Sequence, residues 1–282
     1  MASRVVVVAN QKGGVGKTTT AVNLAACLAA LNHSVLLVDL DPQANATSGL
    51  GLEKTPGGSA YAALLGQEEL IGKVQATTQP NLFIVPSELD LCGAEIELPR
   101  MDSHLQRLRR ALQALQSEAH FDVIIIDCPP SLGVLTLNAF AAADSVLVPL
   151  QCEYYALEGI STVNWLMERV RQAGENPSLS MLGIVMTMYD GRTRLASQVV
   201  DEVSRHFGEL VFETRIPRST RLAEAPSHGR SIIQYDPCGT AAAAYEMLAQ
   251  EVAARLGLGT AATDATAPSA WEAQPAAAQN VA

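Results

Sequence analysis

Seven short runs of β-branched and aliphatic residues recur along the chain: "VVVVA" (5–9), "SVLLVDLD" (34–41), "LFIVPS" (82–87), "DVIIIDCPP" (122–130), "SVLVPL" (145–150), "MLGIVMTMY" (181–189) and "LVFETRIP" (210–217). Most are apolar throughout instead of alternating, so the strands they form must be covered on both faces. Segments of helical period lie between them, notably over 17–31, 102–117, 157–173 and 196–207. This alternation predicts an α/β fold with a single-domain, mostly parallel twisted β-sheet flanked by helices on both faces. Ligands of such sheets gather at the carboxyl ends of the strands. Four runs end in candidate functional residues: Asn10 to Thr19, Asp39 with Asp41, Asp127, and Pro217.

With 282 residues, 48% of them hydrophobic, the chain can bury one large core. From Leu258 onward it turns to Ala, Thr, Pro and Gln without apolar periodicity, which predicts a domain over 1–257 and a disordered tail over 258–282. A net charge of -10 means that any nucleic-acid binding must come from a local basic patch. The five cysteines form no C-x-x-C pair, as expected of reduced thiols that bind no metal. The apolar start is too short for a secretory signal and no run reaches the length of a membrane span, so a cytoplasmic protein is expected. In the 102–117 segment Leu105, Leu108, Leu112 and Leu115 keep helical spacing, and Arg107, Arg109 and Arg110 are expected to form a solvated basic face.

After the first run comes "NQKGGVGKTTT" (10–20), which falls one glycine short of the G-x-x-x-x-G-K-[ST] phosphate loop because Gln11 stands at the first glycine. Gly13, Gly14 and Gly16, with Val15 between them, let backbone N–H groups converge on phosphate oxygens at a helix N-terminus. Lys17 is placed to reach the β- and γ-phosphates of ATP, the Thr18 hydroxyl to ligate Mg2+, and Thr19 to touch the α-phosphate. Lys12 would have to fold back over the glycines to serve the same phosphates, so a neighbouring site is the better destination for it. Asp39 and Asp41 end the second run, suggesting one carboxylate for magnesium and one that orients water. Asp127, after a buried strand, has the Walker B placement and would hold magnesium through water. An aspartate in this role positions water better than it deprotonates it at neutral pH, which predicts slow basal hydrolysis.

The stretch "KGGVGKT" (12–18) resembles the deviant Walker A P-loop NTPases. In that family the first lysine crosses a dimer interface to the partner's ATP, which the resemblance assigns to Lys12, and the position of Asp41 carries the catalytic carboxylate. "DPQANATSGLG" (41–51), "PLQCEYYALEG" (149–159), "TMYDGRTRL" (187–195) and "IPRSTRLAEAPSHGRSIIQYDP" (216–237) are similar to the ParA/Soj-type partition ATPases, a resemblance that runs from Val5 to about Leu256. It implies an ATP-state homodimer, binding of non-specific double-stranded DNA through Arg192 and Arg221, a ParB-type centromere-binding protein that stimulates hydrolysis, and nucleoid association. It also puts Pro217 and Ser219 beside the adenine. Arg194 departs from the related sequences, which often have an uncharged residue there. Arg192, Arg194, Arg205, Arg215, Arg218, Arg221 and Arg230 concentrate positive charge late in the sequence. The alternative at this stage is a MinD-like spatial-positioning ATPase acting at a membrane or protein surface. The segment from Gly257 has no lysine or arginine for a basic membrane helix, so direct membrane binding is not expected.

Overall fold

The computed structural model describes residues 3–153 and 156–259. Each apolar run forms a strand, giving β1 (Arg4–Val8), β2 (Val35–Asp39), β4 (Leu82–Val85), β5 (Val123–Asp127), β6 (Ser145–Gln151), β7 (Ser180–Tyr189) and β8 (Val211–Pro217). The two-residue β3 (Gln75–Ala76) was too short to leave a pattern in the sequence. One eight-stranded sheet results, in the order β3-β4-β2-β5-β1-β6-β7-β8, and only β3 runs antiparallel to its neighbour. Because side chains alternate across a strand, Val6 and Val8 enter one core while Val5 and Val7 enter the other. Both faces need cover, and the helices supply it.

One face is covered by α1 (Lys17–Ala30), α2 (Asn45–Gly49), α10 (Ile232–Tyr235) and α11 (Thr240–Leu256). The opposite face is covered by α3 (Tyr61–Leu65), α4 (Leu91–Glu97), α5 (Arg107–Glu118), α6 (Val134–Ala142), α7 (Ala156–Gln172) and α8 (Arg194–Phe207), while the short α9 (Thr220–Glu224) follows β8. Alanines let α1 press closely on the sheet and on α11, where the Thr20 hydroxyl meets the buried Tyr245 hydroxyl at 3.3 Å. Periodicity singled out neither α6 nor α11. The sequence of α6, "VLTLNAFAA", is enclosed nearly all round and so has no polar face to set a period.

The 102–117 segment differs from its sequence reading. A 3-10 turn (His104–Gln106) precedes α5, and two of its three arginines are not a solvated face. Arg107 donates to the carbonyls of Leu64 and Leu65 at 2.9 and 2.8 Å, and Arg109 donates to that of Glu175 at 3.0 Å. The last carbonyls of α3 lack helical partners, and a guanidinium satisfies two of them at once. Arg110 alone stays exposed. All five cysteines are free, Cys27, Cys128 and Cys152 buried and Cys92 and Cys238 exposed. The expected tail lies, from residue 260 on, outside the described residues.

Candidate active site

The loop from Ala9 to Gly16 leaves the middle of the sheet, where β1 lies between β5 and β6. Gly14 and Gly16 have φ of +75° and +88°, in the left-handed region where any side chain is strained. A side chain at Gly13 would meet no atom within 4 Å, so the space above the loop is open to a ligand. Gly16 caps α1 without a side chain, and the first amides of α1 have no acceptor within the helix, which is the physical basis of an anion site. The loop is pinned from below. The carbonyl of buried Val15 accepts from the Thr187 hydroxyl at 2.8 Å, and Asn10 donates to the Pro149 carbonyl at 2.8 Å.

The two lysines of this loop part company. Lys17 is 7% exposed and donates to the Lys12 carbonyl at 3.1 Å; burial lowers its pKa, and the charges of Asp127 and Asp41 act in the opposite sense. Lys12 turns to the rim, where Nζ stands 2.6 Å from Glu153 Oε2.

Asp127 sits at the end of β5, in register with Val8 of β1 and Asp39 of β2. It is fully buried and neither carboxylate oxygen has a hydrogen-bond partner. Burial, and then the Asp39 carboxylate, hold it well above the usual carboxylate range. An orphaned buried carboxylate beside Thr18 and Lys17 suits a hydrated Mg2+, an ion that keeps most of its waters and takes few protein ligands. The described residues contain no group of three or more His, Cys, Asp or Glu placed to hold a metal ion.

Asp39 is already committed within the protein. Its Oδ2 accepts from the Thr47 amide and hydroxyl at 2.9 and 2.8 Å, and its Oδ1 accepts from the Asp41 amide at 3.1 Å, while burial pushes its pKa up to about 6. Of the two carboxylates expected at the crevice, only Asp41 remains available. One Asp41 oxygen accepts from the Gln43 amide at 3.0 Å, and its carbonyl accepts from the Ser87 hydroxyl at 2.6 Å. The Ser87 amide in turn donates to the Thr47 hydroxyl at 2.9 Å. The sequence reading missed Thr47 and Ser87. Ser87 closes the "LFIVPS" run, so a strand-end position was its signal; Thr47 had none.

Pro217, the last residue of β8, and Ser219 just beyond it line a mostly apolar cleft of about 240 Å3 with Gly16, Thr19, Thr187 and Met188. Met188 has φ of +50°, an uncommon conformation for a residue with a side chain. Arg192 and Arg221 are exposed outside this cleft, on the segments that follow the neighbouring strands β7 and β8. Each meets an acid of its own chain. Arg192 holds both oxygens of Asp190 at 2.9 and 2.8 Å, keeping that carboxyl down near 2, and Arg221 donates to Glu224 at 3.1 Å. Arg205 stands eleven residues beyond Arg194 on α8, roughly 16 Å along the axis.

Comparison with known proteins gives this arrangement a lineage. Residues 3–181 match the AAA domain family. Over 254 residues the chain is 52% identical to the sporulation initiation inhibitor protein Soj of Bacillus subtilis, spanning 89% of this chain and 98% of that protein. It is 53% identical over 253 residues to the chromosome-partitioning ATPase Soj of Thermus thermophilus, spanning 90% and 96%. Its fold is similar to the crystal structure of cobyrinic acid a,c-diamide synthase from Mycobacterium smegmatis with bound ADP and magnesium, at 40% identity and a TM-score of 0.75 over 88% of this chain and 93% of that one. Among the described residues no helix is long and apolar enough to cross a membrane. With half its residues shared across nearly the full length of the Soj proteins, the chain belongs to the ParA/Soj family of chromosome-partitioning ATPases.

Proposed function

We propose that this protein is a slow ATPase of chromosome or plasmid partition whose ATP-bound homodimer binds DNA without sequence preference and lets go after hydrolysis. The observation that carries the reading is the divergence of the two lysines: Lys17 is buried toward Asp127, whereas Lys12 stands at the rim. One serves the phosphates of its own subunit and the other stands where it can serve a neighbour's. The backbone of Gly13, Gly14, Val15 and Gly16 cradles the phosphates, Thr19 touches the α-phosphate, and Pro217 and Ser219 flank the adenine. Thr18 and, through water, Asp127 would hold Mg2+, which when bound would neutralise charge on the phosphate oxygens. Asp41, its loop braced by Ser87 and Thr47, orients the attacking water. Lys12 of the second copy completes the charge stabilisation, so hydrolysis depends on the dimer.

Arg192 and Arg221, doubled by the dimer, form the DNA surface, with a ParB-type centromere-binding protein as the stimulating partner and the nucleoid as the resulting location. The 1–257 segment is the ATPase domain. The test is Asp41→Ala in sedimentation and phosphate-release assays. The variant should retain ATP, stay dimeric in Mg-ATP and hydrolyse at least about a hundredfold more slowly than wild type. Hydrolysis at the wild-type rate would remove Asp41 from the mechanism.

A further inference from the structure

Lys12 is tied down at both ends. Its amide donates to Asn10 Oδ1 at 3.1 Å and its carbonyl accepts from Lys17 at 3.1 Å, while its amine lies against Glu153 just past β6. Glu153 is itself oriented, because its Oε1 accepts from Gln151 Nε2 at 2.6 Å while its Oε2 takes the lysine. The start of the loop and the end of β6 are joined a second time by Asn10 and the Pro149 carbonyl. A side chain at Gly159 would come within 3.0 Å of Asn10 Oδ1, so α7 closes over this junction from above.

We propose that Glu153 is a positioning residue that parks Lys12 on its own subunit until a second copy of the chain presents its nucleotide. The proposal rests on the reading that Lys12 works across the dimer. One ammonium cannot lie on Glu153 and reach into a neighbouring active site together, so every dimer must first release two such pairs. Parking also keeps Lys12 from folding back over Gly13 and Gly14 into the space where its own phosphates would lie. Lys12 and Glu153 side chains are 41% and 46% exposed, so the pair is weak, screened by salt, and yields to the more highly charged phosphates of a partner. Nucleotide arrival prepares the release, because Lys17 must leave the Lys12 carbonyl to meet phosphate. ATP thus loosens the lysine's backbone, and the second subunit then takes its amine. Dimerisation is reduced by the fraction of subunits whose Lys12 is parked.

Glu153→Gln keeps the size of the side chain and its acceptor for Gln151 and removes the charge. Two readouts are needed on wild type, Glu153→Gln, Lys12→Ala and the double variant. The first is the rate at which Lys12 of the nucleotide-free protein reacts with an amine reagent, followed by mass spectrometry on the two lysine-containing forms. The second is the dimer dissociation constant in a non-hydrolysable ATP analogue with magnesium, at low and high salt, on all four. Glu153→Gln should label Lys12 about two- to fivefold faster and dimerise more tightly at low salt, by up to about fivefold for each of the two pairs released, with the gain shrinking at high salt. In the Lys12→Ala background the same substitution should change nothing. Wild-type labelling in Glu153→Gln, or an equal effect on dimerisation with and without Lys12, would overturn the parking role. If instead Lys12→Ala dimerises and hydrolyses ATP like wild type, the cross-dimer reading fails, and the labelling rate still decides whether Glu153 holds Lys12.

Discussion

Asp39 and Asp127 are in register at neighbouring strand ends, yet they meet opposite fates. Asp39 has three donors from Thr47 and Asp41, whereas Asp127 has none. In the sequence both look alike, an aspartate closing an apolar run. The difference comes from Thr47, eight residues along the chain from Asp39, which folds back only because α2 follows the Asp41 loop. The loop glycines, Lys17 and Asp127 were legible because their chemistry is fixed by local spacing. Thr47, Met188 and the Glu153 partner of Lys12 were not, since tertiary contacts alone give them their roles. A pH test follows from burial. Asp39 keeps its proton up to about pH 6, against 3.8 for an unperturbed carboxyl, so the folded state binds the extra proton between those values. The stabilisation is complete below the unfolded value and is lost as pH rises through 6. Going from pH 7 to pH 5 should therefore shift the stability difference between wild type and Asp39→Asn toward wild type by about 1–2 kcal/mol. Urea denaturation at the two pH values reads this directly, and a difference that does not change with pH would contradict it.

Among the elements, the strands were the easiest to read, because two-sided burial makes them apolar throughout. Helices exposed on one side, α7 and α8 among them, showed their period, but α6 did not, because it has almost no exposed side. Arg107 looked like surface charge because nothing local reveals that the end of α3 lies beneath it. Equally hidden was the seam between α2 and the 3-10 turn after α9. Gly51 (φ +77°) and Gly229 (φ +62°) touch backbone to backbone there, and a side chain on Gly229 would stand 2.6 Å from the Gly51 Cα. This seam joins the segment that holds Asp41 to the one that carries Arg221. Gly229→Ala should destabilise the fold by roughly 2–4 kcal/mol through left-handed strain plus the clash, measured by chemical denaturation. A loss below about 0.5 kcal/mol, the range of ordinary surface substitutions, would mean the seam yields freely.

For the whole molecule, charge is the governing quantity. A chain of net charge -10 is repelled by DNA at long range, and Arg192 and Arg221 are each partly neutralised by Asp190 and Glu224. A single subunit should therefore bind poorly, while a dimer offers two copies of the patch at once and gains from avidity. On the proposed reading, ATP joins the subunits and so becomes the switch for DNA. The most direct test is a titration of random-sequence duplex DNA with the purified protein at several salt concentrations in Mg-ATP, in Mg-ADP and without nucleotide. The account predicts binding in Mg-ATP alone, with a log–log salt slope of about -3.6 for roughly four neutralised phosphates, and loss of that binding in Arg221→Ala. Equal binding in all three nucleotide states, or none in any of them, would contradict it.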